Sequence, residues 1–248
     1  MPLRAILSDV HGNLEALRAV LSDARELGAT EILCLGDMVG YGPDPVACVD
    51  LLRRASRVVL KGNHEEAVLS GDAGMKPDVQ ATIQAAREAL QKGWRGRSRW
   101  NFFAHLPSTY REGDQLYVHA SPRDPINEYM MPSDCRDLPE KLREIFKLVD
   151  HVAFVGHTHV PGIFSPEPSF RPAGQVPDGE LLGRKKWIVN VGSVGQPRDR
   201  DRRACYVLFD GTSVRYRRVE YEFEKTQRKI LAAGLASENH ARRLAEGT

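Results

Sequence analysis

The chain has 248 residues, of which 42% are hydrophobic and 27% charged, and its formal net charge is +2. A chain of this length can bury a substantial core, and the composition is typical of soluble globular proteins. No run approaches the roughly 18 apolar residues of a transmembrane helix, so we expect no membrane span. The small net charge argues neither for nor against a nucleic-acid partner.

The cysteines and the N-terminus bear on the cellular setting. The chain has four cysteines, which are widely scattered with no C-x-x-C: Cys34, Cys48, Cys135 and Cys205. The opening MPLRAILSDVHG turns polar after a few apolar residues, unlike a signal peptide. We therefore expect a cytoplasmic, reducing setting without a disulfide framework.

Strands and helices alternate in the first third of the chain. Strand-like runs cover 4–10, 31–37 and 57–63. Apolar residues spaced by three and four predict a helix over 13–27, and a second helix over 43–55 begins with proline. The β-α-β-α-β order predicts a parallel sheet covered by helices.

The later part of the chain is predicted to be more antiparallel. Helices are expected near 78–92 and 137–149, and the proline-rich segment 160–183 is expected to be a loop or an irregular hairpin. The remaining apolar runs predict strands at 115–120, 151–156, 186–193, 203–210 and 214–221. The pattern indicates an α/β fold of two or three layers.

Five successive strand-like runs end in a carboxylate, an amide or an imidazole. The polar residues at these ends are Asp9, His11, Asp37, Asn63, His64, His119, His157 and His159. Ligands bind α/β sheets at the carboxyl ends of the strands, so we expect these side chains to share one sheet edge. Residues two positions apart on an extended chain lie on one face. This spacing predicts that Asp9 and His11, and likewise His157 and His159, converge on one metal or on two neighbouring metals. A donor set without thiolate suits Mn, Fe, Zn, Co or Ni.

The same residues resemble a known family. D-V-H-G (9–12), G-D (36–37), G-N-H-E (62–65), V-H (118–119) and G-H-T-H (156–159), in this order, resemble the motifs of the calcineurin-like metallophosphoesterases. N-V-G-S-V-G-Q-P-R-D (190–199) is similar to the closing strand and loop of the small prokaryotic members. The resemblance runs from about residue 4 to about residue 210.

The resemblance implies a fold and a metal centre. The implied fold is a mixed β-sheet sandwich flanked by helices, in four α/β/β/α layers, as a single domain over 1–248 with a C-terminal helical extension at about 222–248. The implied cofactors are two divalent transition-metal ions. The ligands would divide as Asp9, His11 and His159 on one ion, Asn63, His119 and His157 on the other, and Asp37 bridging both.

The resemblance also implies hydrolysis of a phosphate ester, by a phosphatase or phosphodiesterase reaction. A hydroxide bridging the ions would attack phosphorus, and His64 would assist the leaving group as a general acid or a hydrogen-bond donor, with Asp37 holding its imidazole. Arg198 and Arg123 are candidates to contact a substrate phosphate, although either could form a surface salt bridge instead. The loop 121–132 could wall the substrate pocket or an interface, and we expect the substrate to be a small phosphate ester.

The sequence has three alternative interpretations to a metal-dependent phosphoesterase. A catalytically inactive scaffold on the same fold would be expected to have lost His64 or metal-binding histidines, all of which this chain retains. A nuclease-like enzyme has support only from the basic and aromatic stretch 91–100, for which we favour a solvated helix end or loop with Trp94 and Trp100 packed on the core. A metallo-β-lactamase-like site would need H-x-H-x-D-H, which is absent from G-H-T-H-V-P.

Overall fold

Two mixed β-sheets lie face to face, with helices on their outer surfaces. The computed structural model describes residues 2–71, 74, 77–234 and 238–248. Within these residues the strands are β1 Arg4–Leu7, β2 Glu31–Cys34, β3 Val58–Val59, β4 Thr109–Glu112, β5 Gln115–Val118, β6 Val152–Val155, β7 Gly162–Ser165, β8 Ser169–Pro172, β9 Glu180–Leu181, β10 Trp187–Asn190, β11 Ala204–Phe209 and β12 Ser213–Val219. The helices are α1 Leu14–Glu26, α2 Pro45–Ala55, α3 Asn63–Ser70, α4 Pro77–Gln91, α5 Gly96–Ala104, α6 Asp134–Asp137, α7 Pro139–Lys147, α8 Phe223–Ala233 and α9 Glu238–Glu246, with a 3₁₀ turn at Ala173–Gln175.

Each sheet combines parallel and antiparallel pairs. The first sheet has the order β3-β2-β1-β11-β12-β9, and the second has the order β4-β5-β6-β10-β7-β8. β1, β2 and β3 are parallel, as are β5, β6 and β10, whereas β11 pairs antiparallel with β1 and β12 pairs antiparallel with β11. The predicted change from parallel pairing early in the chain to antiparallel pairing late in the chain is confirmed.

Side-chain alternation along β1 shows how the layers are held together. Leu7 is buried with residues of α1 and α2, whereas its neighbour Ile6 is buried with Phe154 and Phe209 between the two sheets. On the far side of the second sheet, Leu142 of α7 packs in a third apolar cluster. Three apolar layers separate four layers of secondary structure, so the predicted α/β/β/α sandwich is confirmed.

Several sequence predictions need correction. The strands end earlier than expected, and β1 stops at Leu7. The stretch 91–100 leads into α5, where Trp100 packs against the core and lies under the guanidinium of Arg87 at 4.9 Å. Trp94, which was predicted to pack on the core, is instead 87% exposed, with the Arg95 guanidinium 4.4 Å from its ring centroid.

The predicted C-terminal helical extension contains α8 and α9, which we call the C-terminal helix pair. Thr226 of α8 donates to Asn13 Oδ1 at 3.0 Å, and Lys229 lies 2.7 Å from carboxylate oxygens of Glu15 and Asp44. These contacts attach α8 beside the loop that follows β1. α9 packs in turn on α8 through a small apolar cluster: Ile230, Ala241 and Leu244.

Two further expectations concern membranes and thiols. Across the ranges that the structure describes, no helix is both long enough and apolar enough to cross a bilayer. All four cysteines lie in these ranges and are free thiols, three of them buried. Cys34 and Cys205 fill core positions as small hydrophobic side chains, as the sequence predicts.

Candidate metal centre

Loops that follow strands of both sheets carry the predicted ligands. Those of the first sheet follow β1, β2 and β3, and those of the second follow β5 and β6. The expectation of one shared sheet edge is therefore wrong, because the residues meet where the corresponding edges of two facing sheets adjoin. The residues brought together here are Asp9, His11, Asp37, Asn63, His64, His119, His157 and His159.

The backbone reaches this arrangement through left-handed turns. Asp9, His11, Asp37, His157 and His159 have φ values of 55°, 49°, 52°, 65° and 61°. Such values are uncommon for residues other than glycine and cost of order 1–3 kcal/mol each. The prediction that these pairs converge by strand alternation is thus wrong in mechanism. The side chains do converge, but the turns beyond the strands aim them inwards.

One group of potential ligands consists of Asp9, His11 and His159. The two imidazole Nε2 atoms are 3.1 Å apart, and Asp9 Oδ1 lies 3.2 Å from the Nε2 of His159. Main-chain carbonyls of Val39 and Gln196 lie 3.1 and 2.6 Å from the Nδ1 atoms of His11 and His159. A carbonyl can only accept, so each Nδ1 carries the proton and each Nε2 presents its lone pair to the centre.

A second group lies beside the first. His119 Nε2 is 3.1 Å from both His157 Nδ1 and Asn63 Oδ1. Asp37 Oδ2 lies 3.5 Å from His119 Nε2 and 3.8 Å from His11 Nε2, so this carboxylate stands between the two groups. His157 and His159 therefore lie in different groups.

His64 lies at the border between the metal-ligand cluster and the solvent-accessible cavity. Its Nε2 is 3.8 Å from Asp37 Oδ2, and its main-chain N–H donates to Asp37 Oδ1 at 2.9 Å. Its ring centroid lies 4.6 Å from that of His11 and 5.0 Å from that of Tyr41. Gly40, with φ of 87°, leaves room for the imidazole, because a Cβ at that position would overlap His64 Nδ1. Asp37 therefore contacts His64 as predicted.

Burial sets the protonation of the imidazoles. It lowers the pKa of His64 and His157 to about 3 and that of His119 to about 4, and neighbouring imidazoles act in the same direction. The rings are therefore neutral at pH 7, which is the form that binds metals.

The two carboxyl groups respond in opposite ways. Burial raises the pKa of Asp37 well above its ordinary value, and the carboxylates of Glu65 and Asp9 add to that effect. Burial also opposes ionisation of Asp9, yet the imidazoles around it, His159 first, hold the pKa of Asp9 well below its ordinary value when they are protonated. A cation between the two groups would favour the ionised form of both carboxyl groups.

These side chains fit divalent metal ions. Three sets of imidazole and carboxylate atoms lie within 4.8 Å of one another: Asp9–His11–His159, His11–Asp37–His64 and Asp37–His119–His157. In the first set, two neutral imidazoles direct lone pairs at each other across 3.1 Å, which is unfavourable without a cation between them. The mixed nitrogen and oxygen donors suit transition metals of intermediate softness.

Sequence reasoning assigned no role to Glu65. Its buried carboxylate accepts the main-chain N–H groups of Asp37, Met38 and Gly62 at 2.7, 2.8 and 2.9 Å. These bonds tie the loop after β2 to the start of α3. Burial raises the pKa of Glu65 to about 7, while the three donors act in the opposite direction. The available signal was its place at the end of G-N-H-E.

Asn190 and Ser193 lie in the motif at 190–199, and the sequence predicted no specific role for either residue. Ser193 Oγ donates to the Asp9 carbonyl at 2.8 Å. Asn190 Nδ2 donates to the Gly156 carbonyl and to Thr158 Oγ1 at 2.9 and 2.8 Å. Both residues support ligand-bearing turns.

A cavity of about 760 Å³ opens beside the cluster. Arg198, a predicted substrate contact, lines it, and so does Tyr129, which is 49% exposed with its ring 3.9 Å from that of His157. The expectation that the loop 121–132 walls a pocket is met by Tyr129, whereas Met130 is buried in the core. Arg123 does not line the cavity and forms an ion pair with Glu128.

Comparison with known proteins identifies the family to which the chain belongs. A model described as the calcineurin-like phosphoesterase superfamily domain matches residues 3–213. The chain belongs to this superfamily. Membership points to phosphoester hydrolase activity, and it agrees with the clustered Asp and His side chains that could hold metal.

Individual relatives of this calcineurin-like phosphoesterase cover nearly its whole length. The uncharacterized protein MJ0912 of Methanocaldococcus jannaschii is 34% identical over 236 residues, 92% of this chain and 91% of that protein. A crystal structure of a metallophosphoesterase from Sphaerobacter thermophilus has a TM-score of 0.84 and 35% identity, covering 100% of this chain and 99% of the other. The hypothetical protein PH1004 of Pyrococcus horikoshii OT3 shares the fold, with a TM-score of 0.75, 21% identity and coverage of 100% and 99%.

Proposed function

We propose that this calcineurin-like phosphoesterase hydrolyses a small-molecule phosphate ester with two divalent transition-metal ions. The observation that carries the proposal is the pair of ligand groups that share Asp37 and open onto a cavity lined by His64 and Arg198. A cavity of about 760 Å³ falls within the usual size of small-molecule sites.

The residues that would hold the ions follow from the two groups. Asp9, His11 and His159 would hold one ion, and Asn63, His119 and His157 the other, with Asp37 shared. When bound, such ions lower the pKa of a coordinated water towards neutrality and offset the negative charge of the phosphate.

The chain itself positions the ester and the departing group. Arg198 lies on the cavity wall, where its guanidinium can donate to a non-bridging phosphate oxygen. The oxygen of a water forms the new bond to phosphorus as the bond to the leaving oxygen breaks. The neutral His64 ring donates a hydrogen bond to that leaving oxygen, and the proton that the attacking water loses passes to this oxygen through solvent, so the products are an alcohol and a phosphate or phosphate monoester.

The arrangement favours an enzyme over an inactive scaffold. All seven predicted ligands and His64 are present, and the neutral imidazoles face one another at distances that suit metal binding. Exposure of Trp94 beside Arg95 supports nucleic-acid binding by the stretch 91–100, but no residue of this stretch lines the cavity beside the ligand groups, so nucleic-acid binding stays the less favoured hypothesis.

The test is reconstitution of chelator-treated protein with Mn, Ni, Co or Zn. Metal content is measured by mass spectrometry, together with hydrolysis of p-nitrophenyl phosphate and bis(p-nitrophenyl) phosphate. We expect about two ions per chain and hydrolysis of at least one ester. Full activity with one ion would contradict the two-ion proposal, and a folded, metal-loaded but inactive protein would favour the scaffold.

A further inference from the structure

The cavity beside the ligand groups has further walls outside the ligand motifs. Tyr129 of the loop 121–132 lines it, and so do residues of α9 and of the chain end, from His240 to Thr248. Tyr129 is 49% exposed and Trp94 is 87% exposed, but of these two exposed aromatic side chains only Tyr129 lines the cavity. An aromatic surface therefore borders the space that a substrate would occupy.

A candidate metal ligand covers part of the Tyr129 ring. The ring centroid of Tyr129 lies 3.9 Å from that of His157, and the two planes are inclined by 37°. Among the residues that the structure describes, His157 provides the only ring that contacts Tyr129. About half of the side chain is nevertheless exposed, so the ring retains surface for contact with a ligand.

The contact with His157 gives Tyr129 a defined place relative to the ligand groups. The Asn127 carbonyl lies 3.3 Å from His157 Nε2, and the main-chain N–H of His157 donates to Asp9 Oδ2 at 3.0 Å. A carbonyl can only accept, so Nε2 carries the proton and Nδ1 presents its lone pair towards His119, 3.1 Å away. Tyr129 therefore contacts the outer side of the second ligand group, next to where a phosphate would bind.

The chain on both sides of Tyr129 is anchored. Lys141 Nζ donates to the Tyr129 carbonyl at 2.6 Å and to Asp134 Oδ2 at 2.7 Å. Asp134 Oδ2 also accepts the main-chain N–H of Met131 at 2.9 Å, and the side chain of Met130 is buried in the third apolar cluster. The ring is thus held in place before a ligand arrives, which lowers the entropy cost of binding.

Tyr129 differs from tyrosines that support the fold. The Tyr206 hydroxyl donates to Asp23 Oδ2 at 2.6 Å, and the Tyr216 hydroxyl donates to the Asn190 carbonyl at 2.9 Å. Across the described ranges, the Tyr129 hydroxyl has no such partner. The residue is positioned by its backbone and by His157, which suits contact between the ring and a ligand.

A tyrosine ring distinguishes planar groups from saturated ones. Aromatic rings gain energy from offset-stacked and edge-to-face contacts beyond the burial of apolar area, and every nucleobase has a face that can stack. A saturated ring of similar size buries apolar area but lacks the aromatic contribution. The predicted preference is therefore for a planar substituent near the scissile phosphate.

We propose that Tyr129 is a stacking platform for a planar aromatic group in the alcohol part of the substrate. The inference rests on the proposed phosphoesterase function and names a substrate class for it: phosphate esters of nucleosides or of other alcohols that carry an aromatic ring. The ligand groups and Arg198 would hold the phosphate, while Tyr129 would hold the organic part.

The first test is competition at initial rate against hydrolysis of p-nitrophenyl phosphate by the metal-loaded protein. The competitors are adenosine 5′-monophosphate and ribose 5-phosphate, which share the phosphorylated ribose and differ by the base. We expect the inhibition constant of the nucleotide to be about five- to fiftyfold lower. Each constant is calculated with the KM of the variant used, because p-nitrophenyl phosphate also carries an aromatic ring.

The second test measures binding without turnover. Benzylphosphonate and cyclohexylmethylphosphonate have a carbon–phosphorus bond that is not hydrolysed, and they differ in the planarity of a six-membered ring. Isothermal titration calorimetry with the metal-loaded protein should give a dissociation constant about two- to tenfold lower for the benzyl compound. The nucleotide pair and the phosphonate pair together distinguish a nucleoside from a smaller aryl group.

Variants separate stacking from structural support. Tyr129→Phe keeps the ring and should retain both preferences, whereas Tyr129→Leu should bring both ratios close to one. The inhibition constant of ribose 5-phosphate should change less than about threefold in Tyr129→Leu, because its phosphate contacts remain. Trp94→Leu is the matched control, since Trp94 is exposed but lies outside the cavity. Metal content and thermal melting are measured for each variant.

The outcomes distinguish the two proposals. Absence of phosphate-ester hydrolysis with every metal would refute the phosphoesterase proposal and the substrate class with it. Hydrolysis with no preference in either pair would overturn the stacking platform alone. A preference that Tyr129→Leu retains, or that Trp94→Leu removes equally, would overturn it too. Equal weakening of adenosine 5′-monophosphate and ribose 5-phosphate in Tyr129→Leu, with loss of metal, would show that Tyr129 only shields His157.

Discussion

The ligand loops and the C-terminal helix pair border the same cavity but are built in different ways. The ligand side chains of Asp9, His11, Asp37, His119 and His159 are buried almost completely. Arg242 and Glu246 of α9 are exposed, and Arg243 is partly so. The candidate ligands are therefore shielded from solvent, whereas the charged side chains of α9 meet solvent beside the cavity.

The two regions are also held by different forces. Main-chain bonds join the ligand loops directly: the N–H of Asp9 donates to the Gly36 carbonyl at 3.1 Å, and that of His11 to the Asp37 carbonyl at 2.9 Å. The C-terminal helix pair is held by a small apolar cluster and partly exposed ion pairs. Substitutions in the loops should therefore abolish activity, whereas substitutions in the helix pair should adjust it.

The largest effect is expected from Asp37→Asn. The amide cannot supply the negative charge that both ligand groups share, so we expect loss of metal and a decrease in kcat of about a thousandfold or more. Metal analysis and ester hydrolysis on the same sample measure this. Asp178→Asn is the control, because Asp178 is exposed, forms an ion pair with Arg215 at 2.7 Å and does not line the cavity. Normal metal content in Asp37→Asn would contradict the shared-ligand assignment.

His64→Ala should separate chemistry from metal binding. The variant keeps all seven predicted ligands, so its metal content should equal that of the unmodified protein. Its kcat should fall by about 10²–10⁴-fold for esters with poor leaving groups, and by less for p-nitrophenyl esters. Comparison of phenyl and p-nitrophenyl phosphate measures the contrast. If metal were lost in parallel with activity, the role assigned to His64 would be wrong.

Gly40→Ala tests how strictly the loop positions His64. The added methyl would overlap the imidazole, so we expect activity to fall by about ten- to hundredfold. Gly113→Ala is a matched control, because Gly113 also has a positive φ, of 60°, but nothing lies within 4 Å of its added Cβ. In both variants an alanine must adopt a positive φ, which costs conformational free energy, so both should melt at a lower temperature than the unmodified protein. Equal activity of the two variants would show that the position of His64 is not critical.

The buried imidazoles predict acid sensitivity of the metal-free protein. His64 and His157 have pKa values of about 3 in the folded state, below the ordinary value of 6.5. Between about pH 6.5 and 4 the unfolded chain binds protons that the folded chain does not. The stability from these groups, fully present above pH 6.5, is therefore lost as pH falls, by up to about 1 kcal/mol per pH unit for each histidine.

Urea unfolding in the presence of a chelator at pH 7, 6 and 5 measures the slope of the free energy of unfolding against pH. Glu65, with its raised pKa of about 7, acts in the opposite direction and reduces the slope. His157→Asn should reduce it further, because one of the contributing imidazoles is gone. A urea midpoint that stayed constant or rose as the pH was lowered to 5 would show that the histidines do not dominate the pH dependence of stability.

The smallest effect is expected in the C-terminal helix pair. Lys229→Met removes ion pairs with Glu15 and Asp44, and its side chain is already 32% exposed. We expect destabilisation of about 1 kcal/mol or less, with a decrease in melting temperature of a few degrees. Hydrolysis of p-nitrophenyl phosphate should change less than about threefold, since no ligand loop depends on Lys229. Complete loss of hydrolysis would contradict the division between the two regions.

Sequence reasoning found the candidate site more completely than it found the local geometry. Asp9, Asp37 and His119 stand out because each follows an apolar run, and such runs form buried strands. The left-handed turns at Asp9 and His11 could not be predicted, because an alternating pattern assumes that the extended chain continues past Leu7. The assignment of the strands to two sheets could not be predicted either, because it depends on pairing between segments that are distant in the sequence.

The packing of the C-terminal helix pair could not be predicted from the sequence. The resemblance implied a C-terminal helical extension at about 222–248, but no pattern in the sequence specifies the surface that this extension contacts. Its position depends on partners far away in the chain, such as the bond between Thr226 and Asn13. The prediction that Trp94 packs on the core was wrong for a related reason, since hydrophobicity favours burial but Trp94 lies exposed in the turn before α5.

The position of Thr248 has a practical consequence for anyone who expresses the protein. Because this residue lines the cavity, a purification tag joined after it would begin at the substrate entrance and could compete with a ligand or trap metal through its own histidines. A tag placed ahead of β1 would emerge at the amino end of that strand, opposite the edge where Asp9 lies. Assays and soaking experiments should therefore use N-terminal fusions.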